Sequence, residues 1–174
     1  MFKLIKSKFN KIKPICVLSI FFLLSNISCE QNNSVRISSP NEIISFVLNT
    51  KNGKILYSIN QGKKSVISPS QLGIKFNNGV SLINNFKLLS ISSKEVDETW
   101  EQPWGENKFV KNNYKESKIS LESKDNFKNK IDIIVRVYDD GVAFRYNVKK
   151  IRDLNKVVIT DEITQFNISK NANS

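Results

Sequence analysis

The chain has 174 residues, 40% hydrophobic and 10% aromatic, enough apolar content for a core and too much for a disordered segment. It has no histidine and two cysteines, which excludes Ser-His-Asp and Cys-His catalysis and leaves too few ligands for a zinc or redox centre. The formal charge of +11 is concentrated at the start: Lys3, Lys6, Lys8, Lys11 and Lys13 precede the first acidic residue, Glu30, and without them 22 basic residues face 16 acidic ones. The remaining lysines are scattered among Asn, Ser and Ile, with no Arg-rich block or aromatic–basic alternation, so a nucleic-acid partner is not expected. The length corresponds to one ordinary domain or to the front piece of a larger protein.

Residues 1–29 read as a secretory signal. The lysine-rich start leads into the apolar run I-C-V-L-S-I-F-F-L-L over 15–24, shorter than the roughly 20 residues that span a bilayer. Ser25-Asn26-Ile27-Ser28-Cys29 then resembles the lipobox of bacterial lipoproteins, with Asn26 where leucine is usual and a suitably small Ser28. That resemblance implies lipidation of Cys29, removal of Cys16 with the signal, and an exported, membrane-anchored lipoprotein of the periplasm or outer membrane. An uncleaved anchor or a plain secretory signal is the alternative. Residues 30–34, E-Q-N-N-S, form a polar tether, and the domain follows over 35–174.

From Val35 onward, short alternating runs are separated by Asn, Gly, Ser and Pro. Strands are expected at 35–38 and 43–48, broken by Ser39-Pro40-Asn41. Asn52-Gly53, two residues that tolerate positive φ, predicts a hairpin into a strand at 55–59. Gln61-Gly62 turns into 65–67, and 72–76 ends at the turn Asn77-Asn78-Gly79. Beyond a strand at 86–92 lies a segment discussed below. Strands follow at 115–123, with Ile119 and Leu121 inward, and at 131–138 and 142–148, flanking the hairpin turn Asp139-Asp140-Gly141. Ile133, Val135 and Val137 share one face of their strand; Ile134, Arg136 and Tyr138 share the other. Runs at 157–160 and 163–168 complete the series, with Asp161-Glu162 read as a turn between them. No segment carries a sustained 3.6-residue apolar period. The expected fold class is all-β, a large antiparallel β-sandwich of two stacked sheets, incomplete at its C-terminal end.

Residues 96–110, V-D-E-T-W-E-Q-P-W-G-E-N-K-F-V, hold both tryptophans, Trp100 and Trp104, and the carboxylates Asp97, Glu98, Glu101 and Glu106. Pro103 and Gly105 punctuate the segment, which reads as a loop rather than the interior of a regular element. An indole offers an apolar face for stacking on a sugar ring, and the same side chains could instead cap a core or dock a neighbouring domain. Hydrolysis of a glycosidic bond needs two carboxyls about 5 Å apart, or wider for inversion. One loop rarely holds such a pair rigidly, so a solvated acidic loop is the expectation. Glu106 is placed to cap or to pair with Arg145 or Arg136. Asp139-Asp140 is explained by its turn and offers too few oxygens for calcium. Arg145 reads as a paired structural residue in its strand.

The ordered set of motifs resembles the N-terminal domain of glycoside hydrolase family 97. It comprises Ser39-Pro40-Asn41, G-K-I-L-Y-S-I over 53–59, V-I-S-P-S-Q-L-G-I over 66–74, D-E-T-W-E-Q-P-W-G-E over 97–106, Y-D-D-G-V-A-F-R-Y over 138–146 and I-T-Q-F over 163–166. The resemblance covers nearly all of 35–168. It implies exported bacterial enzymes hydrolysing α-glycosides, with a β-sandwich packed on a (β/α)8 barrel that carries the catalytic carboxylates and a calcium ion. On that basis no catalytic residue and no metal ligand falls within this chain. Calcium belongs to the full-length family, and the ligand supplied by the sandwich domain lies beyond Ser174. The expected partners are the missing barrel, an α-linked oligosaccharide in the full-length enzyme, and the membrane through the lipid. Trp100, Trp104 and Glu106 are the candidate carbohydrate-binding or barrel-facing residues. A free-standing carbohydrate-binding lipoprotein and a truncated, non-functional product remain as alternatives.

Overall fold

Alternation of β-branched and aromatic residues with polar ones yields eleven strands and no α-helix among the described residues. A computed structural model gives the fold of residues 34–77, 79–149, 151 and 156–170. The expected signal, the tether before Ser34, Cys16 and Cys29 lie outside the described residues.

Two antiparallel meanders form the sandwich. The first runs β1 (Ser34–Ser38), β2 (Ile44–Asn49), β3 (Leu56–Gln61) and β4 (Lys64–Gln71), in that spatial order. The second runs β7 (Phe86–Glu101), β8 (Phe109–Ser123), β9 (Lys130–Tyr138) and β10 (Val142–Val148). Between them in sequence, β5 (Ile74–Phe76) and β6 (Ser81–Leu82) join β11 (Ile159–Glu162) in a small sheet of order β11-β5-β6. The turns do what their residues require. Asn52 and Gly53 adopt φ of 54° and 74° between β2 and β3, and the Tyr138 amide donates to Gly141 at 2.8 Å across the Asp139-Asp140 turn.

The two meanders pack face to face, β2 over β9 and β1 over β8. Phe46 and Leu48 meet Ile119, Leu121, Ile131, Ile133, Val135 and Val137, all fully buried. Burying each such side chain stabilises by about 1.5–3 kcal/mol. A one-residue slip of β9 would exchange its inner row for Ile134, Arg136 and Tyr138 and drive a guanidinium into the core, so the register is strongly fixed. At one end of the core the rings of Phe46, Tyr57, Phe144 and Phe166 stack and tilt at centroid distances of 5.2–6.3 Å.

The outer face of the second sheet is laced by cross-strand charges. Glu116 stands opposite both Lys94 and Arg136 and bonds each, at 3.1 and 2.6 Å. Asp132, almost fully buried, takes Lys149 at 2.9 Å and the Ser120 hydroxyl at 2.9 Å. Burial tends to raise the Asp132 carboxyl, but these hydrogen bonds and the lysine charges outweigh it and hold it below the usual range. The hydrogen bond from Arg136, with support from Lys94, likewise lowers Glu116 against the opposing effect of burial.

Three local expectations change. Asp161 and Glu162 are not a turn: both lie in β11, where Asp161 meets Lys75 at 3.0 Å. The 163–168 run does not form a full ladder but lies extended along the outer edge of β4, with one isolated bridge at Ile67–Ile168. Beside Pro69 the ladder gives way to side-chain bonds: Asn167 donates from its backbone to Ser70 Oγ and from its side chain to the Pro69 carbonyl. Arg145 is exposed and has no ion partner among the described residues.

Candidate functional site

The candidate site grows out of β7 and β8, which are far longer than the sequence pattern indicates. They pair continuously from Phe86–Ser123 to Glu101–Phe109, with one bulge near Leu88–Ser90. The segment 96–110 is therefore a loop only over 102–108; Val96–Glu101 and Phe109–Val110 are strand. Neither face of this ribbon is buried near its tip, so it shows no apolar alternation. Ladder hydrogen bonds and cross-strand polar pairs hold it instead.

Those pairs account for most of the acidic residues. Glu95 meets Lys115 at 3.3 Å, Asp97 meets Lys111 at 3.9 Å, Glu101 meets Lys108 at 3.3 Å, and Glu98 accepts from the Asn112 amide at 2.6 Å. The carboxylates are all exposed, and an ion pair at such a surface is worth no more than about 1 kcal/mol. Glu95, Asp97 and Glu101 share one face of the ribbon and Glu98 the other, each tied to its own cross-strand partner rather than converging on a point. The described residues contain no cluster of three His, Cys, Asp or Glu side chains, so they do not fit a calcium site. Asp139 is already engaged, accepting the Asn41 amide at 2.9 Å and so fastening the β9–β10 turn to the β1–β2 turn.

The tip is closed by Gln102, whose backbone amide donates to Lys108 O at 3.0 Å and whose side chain donates to Asn107 O at 2.7 Å. Gly105 takes φ of 126°, and a Cβ there would collide with the Gln102 amide. Trp104, 86% exposed, and Glu106, also exposed, stand on this tip. Glu106 reaches neither predicted arginine: Arg136 is taken by Glu116 and lies over the Tyr114 ring at 4.7 Å, while Arg145 is solvated.

Trp100 is placed differently. It is 48% exposed, opposite Val110, and lines an open cleft of about 680 Å³. The cleft exists because β9 stops short: its pairing with β8 ends at Tyr114–Tyr138, while β7 and β8 continue together to Glu101–Phe109. Lys111, Asn112 and Asn113 on β8 and Tyr138, Asp139 and Asp140 on the next turn complete the lining. Sequence reading singled out Trp100 and the Asp139-Asp140 turn separately but did not join them, since residues 138–140 lie about forty positions from Trp100, beyond a strand junction.

Comparison with known proteins places this geometry. The model of the family described as glycosyl-hydrolase 97 N-terminal matches residues 37–174. A retaining alpha-galactosidase from Bacteroides thetaiotaomicron is 25% identical over 124 residues, 71% of this chain and 18% of that protein. A Glycoside Hydrolase Family 97 enzyme from Pseudoalteromonas sp. strain K8, solved in complex with panose, superposes with a TM-score of 0.74 at 29% identity, over 78% of this chain and 20% of that one. A beta-arabinopyranosidase gives a TM-score of 0.70 at 27% identity, over 78% and 21%. The chain spans about a fifth of the length of these relatives. With the sandwich, its hairpins and the tryptophan-bearing ribbon in place, the match across 37–174 means that this chain belongs to the glycosyl-hydrolase 97 N-terminal family.

Proposed function

We propose that this chain is the non-catalytic N-terminal β-sandwich of an exported α-glycoside hydrolase, supporting a barrel and shaping part of a carbohydrate pocket. The observation that carries the reading is the family match over 37–174, set beside relatives about five times as long. The ribbon's carboxylates support the non-catalytic part, because they are spread over both faces and tied to lysines and Asn112. Glycoside hydrolysis needs two carboxyls held across the scissile bond. The calcium of the full-length family would be held by residues outside those described here.

Anchoring belongs to the same proposal. Lipidation at Cys29 would tether the domain to a bacterial membrane through the residues between Cys29 and β1, which begins at Ser34. Labelled palmitate should enter the chain, and Cys29→Ala should release it from the membrane fraction; unchanged fractionation would remove the anchor.

The hydrolase reading is tested with the chain alone and in a chimera. Alone, it should show no turnover of nitrophenyl α-glucoside or α-galactoside, and turnover would overturn the non-catalytic assignment. Residues 37–174 exchanged for the matching fifth of the Pseudoalteromonas enzyme should preserve panose hydrolysis. A folded chimera without hydrolysis would overturn the supporting role.

A further inference from the structure

The step at the end of β9 is more than a gap in a ladder. One wall is an indole whose face is not consumed by the core, Trp100 beside Val110. The opposite wall is the Tyr138–Asp140 turn, which cannot swing freely because Asp139 Oδ1 holds the Asn41 amide of the other sheet at 2.9 Å. The Asp140 carboxylate has no partner among the described residues, and Asn113 joins it as a polar group lining the space. The volume, about 680 Å³, lies within the range of small-ligand sites. Tyr138 also lines a second hollow of about 240 Å³, with Ile134, Ala143 and the solvated Arg145, so the surface continues across the outer face of the sheet.

The lining narrows the ligand class. Two carboxylates repel phosphate and so disfavour a nucleotide. One of them is engaged and no third acidic or soft ligand is near, which disfavours a divalent cation. A wholly apolar ligand would leave the Asp140 carboxylate and the Asn113 amide desolvated without partners. A sugar fits both halves: its C–H face lies on an indole, and its vicinal hydroxyls donate to a carboxylate and exchange hydrogen bonds with amides. We propose that the Trp100–Asp140 cleft is a glycan-binding site for an oligosaccharide of more than one unit, extending over Tyr138 toward Arg145. The choice of an α-linked glycan rests on the proposed function above; the choice of a glycan rests on the cleft itself.

The test uses the full chain carrying Trp104→Phe, which leaves Trp100 as the only indole, titrated with panose. Saturable quenching in roughly the millimolar range is expected. In the same background Asp140→Asn, at an exposed turn residue, should weaken binding roughly tenfold without changing the circular dichroism. Trp100→Ala should abolish the heat of panose binding in calorimetry. A flat titration, or quenching that is linear and matched by glycerol, would overturn the site. An equal response to cellotriose would overturn the α-linked assignment. This result is separable from the hydrolase reading: a flat titration with an active chimera removes only the cleft, and saturation with a folded, inactive chimera removes only the hydrolase role.

Discussion

Tyr146→Phe isolates one hydroxyl that joins three parts of the fold. The Gly73 amide donates to Tyr146 Oη at 3.1 Å, Tyr146 Oη lies 2.6 Å from Thr164 Oγ1, and Thr164 donates to Glu162 at 2.7 Å. Because Thr164 spends its proton on the carboxylate, Tyr146 donates to Thr164. The relay ties β10 to the start of β5 and to the 163–169 edge segment. Removing the oxygen keeps the ring and creates no large cavity, but it strands the buried Gly73 amide, costing about 1–3 kcal/mol, and breaks a second bond worth about 1 kcal/mol. A total loss of roughly 2–4 kcal/mol is expected, against about 1 kcal/mol for Thr164→Val, which leaves the Gly73–Tyr146 bond in place. Urea unfolding at constant m-value measures both, and a double-mutant cycle should show coupling because the two side chains share a bond. A Tyr146→Phe cost below about 0.5 kcal/mol, or a larger cost for Thr164→Val, would refute the reasoning.

Two other expectations concern the same frame. Gly53→Ala should destabilise by roughly 2 kcal/mol or more, because Gly53 has φ of 74° and a Cβ would stand 2.9 Å from the Asn85 backbone; an unchanged urea midpoint would contradict it. Acid should weaken the fold through Glu116 and Asp132, whose folded carboxyls lie below their ordinary values of 4.5 and 3.8. Their stabilisation is complete above those values and is lost as pH falls through the lower folded ones. Urea midpoints should therefore drop between pH 5 and pH 2, less steeply in Glu116→Gln; a flat profile would refute the assignment.

Much of this protein was legible in its residues. The period of two in β9 put Ile133, Val135 and Val137 on one face, and that face is the buried one. Asn52-Gly53 marked its turn because few residues accept φ of 54° and 74°, and Asp139-Asp140-Gly141 marked the β9–β10 hairpin by its turn-forming residues. The motif order identified the family, which the match over 37–174 bears out. The all-β sandwich followed from the same spacing.

Other features belong to the tertiary structure alone. Val96–Glu101 carries no burial pattern, since both faces of the ribbon meet solvent, so its strand character comes from pairing with β8. The edge segment is held by contacts such as that of the Asn167 side chain with the Pro69 carbonyl, almost a hundred residues away in sequence. The cleft beside Trp100 arises from a difference in length between β8 and β9, a property of pairing that neither strand encodes by itself. The sequence therefore determined which faces are apolar and where the chain turns. Three-dimensional pairing decided which polar groups meet, because residues such as Trp100 and Asp140 become neighbours only once three strands lie side by side.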